Sequence, residues 1–320
     1  MGEDVLMRIV VLAGGVGGAR FLLGVRAFAA RCGGEVTAVV NTGDDVTLHG
    51  LRICPDLDSV MYTLGDGADP KRGWGRAGET WTVKEELAAY QAEPTWFGLG
   101  DRDIATHLVR TRMLSAGYPL SQVTDALCAR WQPGVRLLPA TDDRVETHVV
   151  CDGQALHFQE WWVRHRGELP AQRFVFVGAE DAKPAPGVID AIRDADLVLL
   201  APSNPVVSIA PILAVPGIRD ALRDGNAVVG LSPIVGGTAL RGMADRCLTA
   251  IGVEVSAAGV GAMYGPRSGD GLLDGWLVDV ADAQTTVSGV AVRSRPLLMT
   301  SETETAGMVA DAAALVGVAL

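Results

Sequence analysis

The feature that most constrains this chain is a short apolar run, residues 8–13 (RIVVLA), that ends directly in Gly14-Gly15-Val16-Gly17-Gly18-Ala19-Arg20. A continuous β-branched run suits a parallel strand covered on both faces, since it offers no polar face to water. Glycines immediately behind it permit a tight turn and a close backbone approach. A helix that follows offers unpaired N–H groups to a phosphate. The spacing predicts a strand over 8–13 and a helix over about 18–30, with Gly14, Gly15, Gly17, Gly18 and Arg20 as candidates for a phosphate or cofactor edge. The competing reading gives those glycines no task beyond close packing.

The rhythm continues along the chain. Apolar runs at 35–41, 173–178, 196–201 and 227–232 read as further strands, and 187–194, 205–214 and 239–250 as helices between or after them. Such alternation predicts an open α/β sheet. The middle differs: 79–91, 103–116 and 121–130 read as helices, and VETHVVCDG followed by QALHFQEWWV as a β-hairpin. The expected fold is a Rossmann-like, mostly parallel α/β core with an inserted smaller mixed subdomain. Residues 1–70 and 171–320 would form the core, and 71–170 an inserted substrate-binding subdomain. The Ala-rich GMVADAAALVGVAL at the end reads as a docked helix.

Composition narrows the partners. A hydrophobic fraction of 48% against 20% charged residues argues against disorder. The net charge of −11, with no Lys/Arg cluster, argues against a general nucleic-acid or anionic-membrane binder. An acidic chain can still hold a small anion through backbone amides, a few arginines or a divalent metal. The five cysteines form no CxxC pair and are expected as thiols in a reducing cytoplasm. The opening MGEDVLMRIVVLAGG lacks secretory-signal architecture, and no stretch reaches 18 apolar residues, so a cytoplasmic protein without a membrane span is expected.

The motifs argue by exclusion first. A dinucleotide fingerprint would have its third glycine where Arg20 stands, and an acidic residue where the second strand ends in Asn41. The lysine-bearing P-loop is absent too, as are HExxH and G-x-S-x-G. What remains is a series of polar loops at strand ends, where open α/β sheets place ligands. Asn41-Thr42-Gly43-Asp44-Asp45 presents two carboxylates suited to a hard metal such as Mg²⁺, or an ordinary Asx-turn. Asp56 reads as a helix cap and Asp58 as facing a site, while Arg102 lies between Asp101 and Asp103 ahead of a helix with His107 and Arg110. A polar cluster covers 141–148, Ser203 and Asn204 follow one strand, and Gly236 and Gly237 form a second phosphate nest after another. Trp74, among glycines, can cover a planar ligand.

Taken in order, GGVGGARFLLG, NTGDD, GLRICPDLDSVMYTLG, GWGRAGETW, WFGLGDRDIATHLVRT, LSQVTDALCARW, DDRVETHV, APSNPVVSIAPIL and SPIVGGTALRGMADRCL resemble the 2-phospho-L-lactate transferase family of coenzyme F420 biosynthesis. The likeness spans about 8–250 and is nearest the actinobacterial branch, which uses a phosphoenolpyruvyl donor. It implies Mg²⁺ dependence and transfer from a guanosine-diphosphate-linked phosphoenolpyruvyl or phospholactyl donor to the deazaflavin Fo. The products would be dehydro-F420-0 or F420-0, with GMP released. By that likeness Asp58 and Arg102 contact Fo, Asp44 and Asp45 are the metal and reaction-centre residues, and the protein is a homodimer. Arg20 stands where other members often carry Lys, which keeps the charge and changes its geometry. The rivals are an NAD(P)-dependent α/β oxidoreductase and a nonenzymatic guanine-nucleotide-binding protein.

Overall fold

The computed structural model describes residues 6–240 and 242–318; the acidic opening segment read above lies largely outside them. Seven parallel strands form the main sheet. From one edge they run Ala291–Ser294, Gly275–Val278, Ala227–Leu231, Leu197–Leu200, Arg8–Ala13, Glu35–Val40 and Arg136–Pro139. The first strand bears out the apolar-run reading residue by residue. Val10 and Leu12 enter the core on one face, and Ile9, Val11 and Ala13 the core on the other. This is why no polar alternation interrupts it.

Helix Gly15–Cys32 begins three residues earlier than expected and packs against the C-terminal helix, Glu302–Leu315. The approach is close enough that a Cβ on Gly24 would collide with the side chain of Thr305. Helices Thr82–Ala89, Asp101–Ser115 and Leu120–Trp131 occupy the middle segments where helices were expected.

Several strands depart from the reading: Gly275–Val278 and Ala291–Ser294, at one edge of the main sheet, were not expected, and two more differ. Residues 136–139 were not expected as a strand, yet they close one edge of the main sheet beside Glu35–Val40. The strand expected at 173–178 forms as Arg173–Val177, but it pairs antiparallel with Glu146–Cys151, which also pairs with Gln154–His157. Its alternating exposure, Phe174 and Phe176 packed inward and Val175 and Val177 outward, suits a half-covered antiparallel sheet and not a buried parallel one.

All five cysteines are free thiols, three of them buried. Among the described residues no single helix is long and apolar enough to cross a membrane.

Candidate active site

Chain order reverses between Arg8–Ala13 and Leu197–Leu200, and the loops leaving these strands open the crevice that such a switch point creates. Ser203 stitches the two loops together. The Gly14 N–H donates to Ser203 Oγ at 3.2 Å, and the Ser203 hydroxyl donates to the Gly14 carbonyl at 2.7 Å. Position 14 admits no side chain, because a Cβ there would lie 2.5 Å from Asp56 Oδ2 and 2.8 Å from Ser208 Cβ. Asn204 accepts from the N–H groups of Val206 and Val207 and donates to the Gly242 carbonyl at 3.0 Å, fixing the start of the next turn.

At the end of the second strand, the fully buried Asn41 organises the acidic loop. Its amide donates to Asp56 Oδ2 at 2.9 Å, to the Val207 carbonyl at 3.1 Å and to Asp44 Oδ1 at 3.3 Å, while its Oδ1 accepts from the Gly43 N–H at 2.8 Å. Asp56, expected as a cap, occupies the first turn of helix Pro55–Leu64 without capping it; its oxygen is taken by Asn41. Burial pushes Asp44 well above the usual carboxylate range. The neighbouring charge of Asp56 adds to this, and the Asn41 hydrogen bond opposes it. Burial also lifts Asp56 to about 6, against its hydrogen bonds from Asn41 and Gly15. The two aspartates of the loop diverge. Asp44 reaches towards Gln159 at 3.4 Å, whereas Asp45 pairs with Arg52 at 3.0 Å and keeps its Oδ1 buried without a hydrogen bond. Burial lifts Asp45 to about 6 despite Arg52, so desolvation outweighs the ion pair.

A second polar wall is assembled by helix Asp101–Ser115, whose Asp103, His107 and Arg110 recur at helical spacing on one face. The buried Arg110 makes a short ion pair with Asp58, and its Nη1 lies 3.0 Å from His107 Nδ1. His107 Nε2 lies 3.5 Å from Asp103 Oδ2, and the Tyr62 hydroxyl donates to Asp103 Oδ1 at 2.5 Å. Burial opposes charge on Arg110, yet Asp58 holds it firmly protonated. Burial likewise opposes ionisation of Asp103, but His107 and Tyr62 bring it below the usual range. Asp58, Asp103 and His107 place potential ligand atoms within 4.8 Å of one another, a spacing that could hold a divalent ion.

These walls enclose one cleft with two lobes. The glycine lobe, about 380 Å³, is lined by Gly14, Gly15, Gly17, Asp44, Asp56 and Arg72, with Ser203, Asn204 and Ser208 beside them. The aromatic lobe, about 410 Å³, is lined by Tyr62, Phe97, Leu99, Asp58, Asp103 and His107. Both share Val16, Pro55, Ser59, Trp74, Gln159 and Trp162. Arg72 is held in place by Asp69 at 3.0 Å and lies over the rings of Trp74 and Trp81, 5.2 and 5.1 Å from their centroids.

The structure therefore brings together most of the residues singled out in the sequence. Arg20 is partly buried in the first helix, and Gly18 packs under Ser203. Asp45 stands behind the lobes beside Arg52. The Arg102 side chain is exposed against Gly78, next to the lobe-lining Asp103. Gly236 and Gly237 turn a two-residue hairpin braced by Asp282, away from both lobes. Sequence reading missed Asn41 as a hub and Gln159, Tyr62 and Arg72 as wall residues. The helical i, i+4, i+7 spacing of Asp103, His107 and Arg110 was the available signal for the second wall.

Residues 9–306 match the model of the 2-phospho-L-lactate transferase family CofD. The chain belongs to this family. It is similar to a phosphoenolpyruvate transferase of Nocardia farcinica, 63% identical over 97% of this chain and 95% of that one. A Mycolicibacterium smegmatis phosphoenolpyruvate transferase is 61% identical over 98% of this chain and all of its own length, and that of Thermobifida fusca 62% over 94% and 95%. The fold is also that of a Bacillus halodurans protein solved by crystallography. The TM-score is 0.61 at 19% identity, covering 96% of this chain and 99% of that one. Membership makes the chain a transferase of the phosphoenolpyruvate/phospholactate type.

Proposed function

We propose that this transferase moves a phosphoenolpyruvyl group from a guanosine-diphosphate-linked donor to the deazaflavin Fo, giving dehydro-F420-0 and GMP. A 2-phospho-L-lactyl donor would give F420-0 by the same route. The observation that carries this reading is the shared wall between two chemically different lobes. A planar ring fits among Tyr62, Phe97 and Trp74, with Asp58 in the wall as its polar contact; Arg102, exposed at the adjoining helix start, would join it by turning in from outside the lobe. A diphosphate fits against Gly14–Gly18 and the N-terminus of the helix they open, where N–H groups favour negative charge. Arg72 adds the cationic group in that lobe's wall, and Ser203 and Asn204 its polar floor.

The residues fit a divalent cation. Asp44 and Asp56 both line the glycine lobe, both are buried, and among the described residues neither has a cationic partner to offset the burial that lifts them. Mg²⁺ accepts a carboxylate or two together with substrate phosphates. When bound it supplies charge neutralisation for the diphosphate as the phosphorus–oxygen bonds rearrange. Asp44 and Asp56 would hold it directly, with Asp45 and its unpaired Oδ1 supporting the loop from behind.

The terminal hydroxyl of the Fo ribityl chain attacks the phosphorus that carries the three-carbon acid. The bond from that phosphorus to the oxygen of the guanosine-bearing phosphate breaks, GMP departs with that oxygen, and the hydroxyl's proton is released to water. Ser59 and Gln159, at the junction, hold and orient the hydroxyl, and Asp44 receives the hydrogen bond of Gln159. Alignment and charge spreading account for the catalysis, with no covalent enzyme intermediate. The protein works as a cytoplasmic homodimer; sedimentation as a monomer at micromolar concentration would remove the dimer from this reading.

The test is to incubate the purified protein with Fo, guanosine-diphosphate-linked phosphoenolpyruvate and Mg²⁺. Equal amounts of GMP and a phosphodiester of Fo are expected by chromatography and mass. Formation of neither, with folded protein, would refute the assignment.

A further inference from the structure

The segment that carries Asp44 is gripped on both sides by the antiparallel sheet. The Thr147 N–H, in strand Glu146–Cys151, donates to the Gly43 carbonyl at 2.6 Å. His157, which ends strand Gln154–His157, places its Nε2 3.2 Å from the Asp45 carbonyl. The first contact is backbone to backbone and survives substitution, whereas the second is made by a side chain. The Gln159 N–H donates to the other ring nitrogen, Nδ1, at 3.1 Å, and the Gln159 side chain reaches Asp44 at 3.4 Å. Both partners fix the same tautomer. A backbone N–H only donates, so Nδ1 is an acceptor; a carbonyl only accepts, so the ring proton sits on Nε2. The ring of His148 packs edge-on against that of His157, with centroids 5.6 Å apart, which holds the ring plane. His157 itself lines neither lobe.

We infer that His157 is a positioning residue for group transfer: its imidazole ties the acidic loop to the wall residue Gln159 and so sets where the Asp44 carboxylate and the Gln159 amide meet. This rests on the transfer reading above and deepens it. The two groups it aligns come from different parts of the fold. Asp44 follows the second strand of the parallel sheet, and Gln159 follows the hairpin of the antiparallel one. Both face the glycine lobe, where the attacking hydroxyl and the donor phosphorus must be brought into line. Misplacing either group by an ångström can cost about 100-fold in rate while leaving the substrates' other contacts in place. Because His157 touches neither lobe, its loss falls on alignment, and hence on kcat, and spares the binding of both substrates.

Three variants separate the two arms. His157→Phe keeps the bulk of the ring and removes both contacts. His157→Asn keeps an oxygen near the Nδ1 position for the Gln159 N–H and loses the reach to Asp45. His157→Gln places an amide nitrogen near the Nε2 position for the Asp45 carbonyl and leaves the Gln159 N–H unmatched. GMP release is measured per folded, Fo-binding molecule. His157→Phe should lower kcat about 30-fold or more while both KM values stay within about threefold. The other two variants should fall between it and the wild type. Each arm should also fall silent once the group it acts through is gone. His157→Asn should cost less than about threefold in an Asp44→Asn background, and His157→Gln less than about threefold in a Gln159→Ala background. Ring-nitrogen NMR at neutral pH should show the His157 proton on Nε2, and His157→Gln should speed hydrogen exchange of the Gln159 amide about tenfold or more. Near-normal kcat in His157→Phe, losses confined to KM, or losses that multiply in full in either double variant would each overturn the inference. So would a proton on Nδ1 or an unchanged Gln159 exchange rate. Wild-type protein that releases no GMP with Fo and the guanosine-linked donor would refute the transfer reading instead, and the two NMR measurements, which need no substrate, would still decide the His157 bridge.

Discussion

Asp44→Asn is the change that most directly tests how the acidic loop works. The substitution is isosteric, and the new side-chain oxygen can still accept from Asn41, whose contact with Asp44 is a long 3.3 Å. What is lost is one negative charge in the wall of the glycine lobe. A unit charge about 4 Å from another at an effective dielectric of ~20 interacts by ~4 kcal/mol, and a doubly charged ion feels more. Relief of the repulsion between Asp44 and Asp56 returns part of this, so a net barrier increase above about 2.7 kcal/mol is expected, a loss exceeding 100-fold in turnover. Asp45→Asn removes a charge that is already matched by Arg52 and does not line either lobe, so its effect on turnover should be at least about tenfold smaller. The assay is a Mg²⁺ titration of GMP release and Fo conversion with each folded variant, corrected for active-site content by Fo binding. Near-normal turnover and unchanged Mg²⁺ dependence in Asp44→Asn would refute the argument. So would a larger loss in Asp45→Asn.

Four further outcomes follow from the same geometry. Asp56, lifted to about 6, and Asp44, also raised by burial, are protonated in the fold at pH values where they ionise in the unfolded chain; the stability they contribute is full below about pH 4 and is lost as pH rises through their folded values. Added Mg²⁺ should therefore raise the melting temperature more at pH 7.5 than at pH 5, and an equal shift at both would remove these carboxylates from the cation site. Gly14→Ala must displace Asp56 or Ser208, so it should lower stability by about 1–3 kcal/mol in denaturant titrations and abolish most turnover. Asp58→Asn should weaken Fo use by roughly tenfold or more, since it discharges the buried partner of Arg110, while the donor KM holds. Trp74, 51% exposed on the wall common to both lobes, should report either substrate through its fluorescence, and Trp74→Ala should raise both KM values.

The core strands were legible because their signal is local. Ile9 to Ala13 is apolar at every position, and a strand buried on both faces needs nothing else from its neighbours. Residues 136–139 failed that test: the strand is only four residues long, starts with an exposed Arg136 and ends in Pro139, which only its place at a sheet edge permits. Residues 173–177 passed it and were still assigned to the wrong sheet, because an apolar run states that a strand exists without stating its partner. The site divides in the same way. Glycines and paired aspartates announce themselves in sequence, since turns and metals demand those residue types. Asn41, Gln159 and Arg52 act through partners 3 to 166 positions away, so their roles emerge only when the chain is folded.

Asn41 also decides between the two enzyme classes that a glycine turn after a strand leaves open. In a dinucleotide-binding fold the residue ending the second strand is an acid that accepts hydrogen bonds from a ribose. Here that place is held by a fully buried amide whose N–H groups face inward, to Asp44, Asp56 and the Val207 carbonyl, and whose Oδ1 is taken by the Gly43 N–H, so its acceptor is not offered to a ribose. The acids have moved off the strand end into the loop and the next helix, where they converge on the glycine lobe. An acceptor of hydroxyls has become a scaffold for carboxylates. That exchange would let a chain of net charge −11 receive the diphosphate donor proposed above. In the proposed reading the anion would be met by helix N–H groups, by Arg72 and, through Asp44 and Asp56, by a divalent cation.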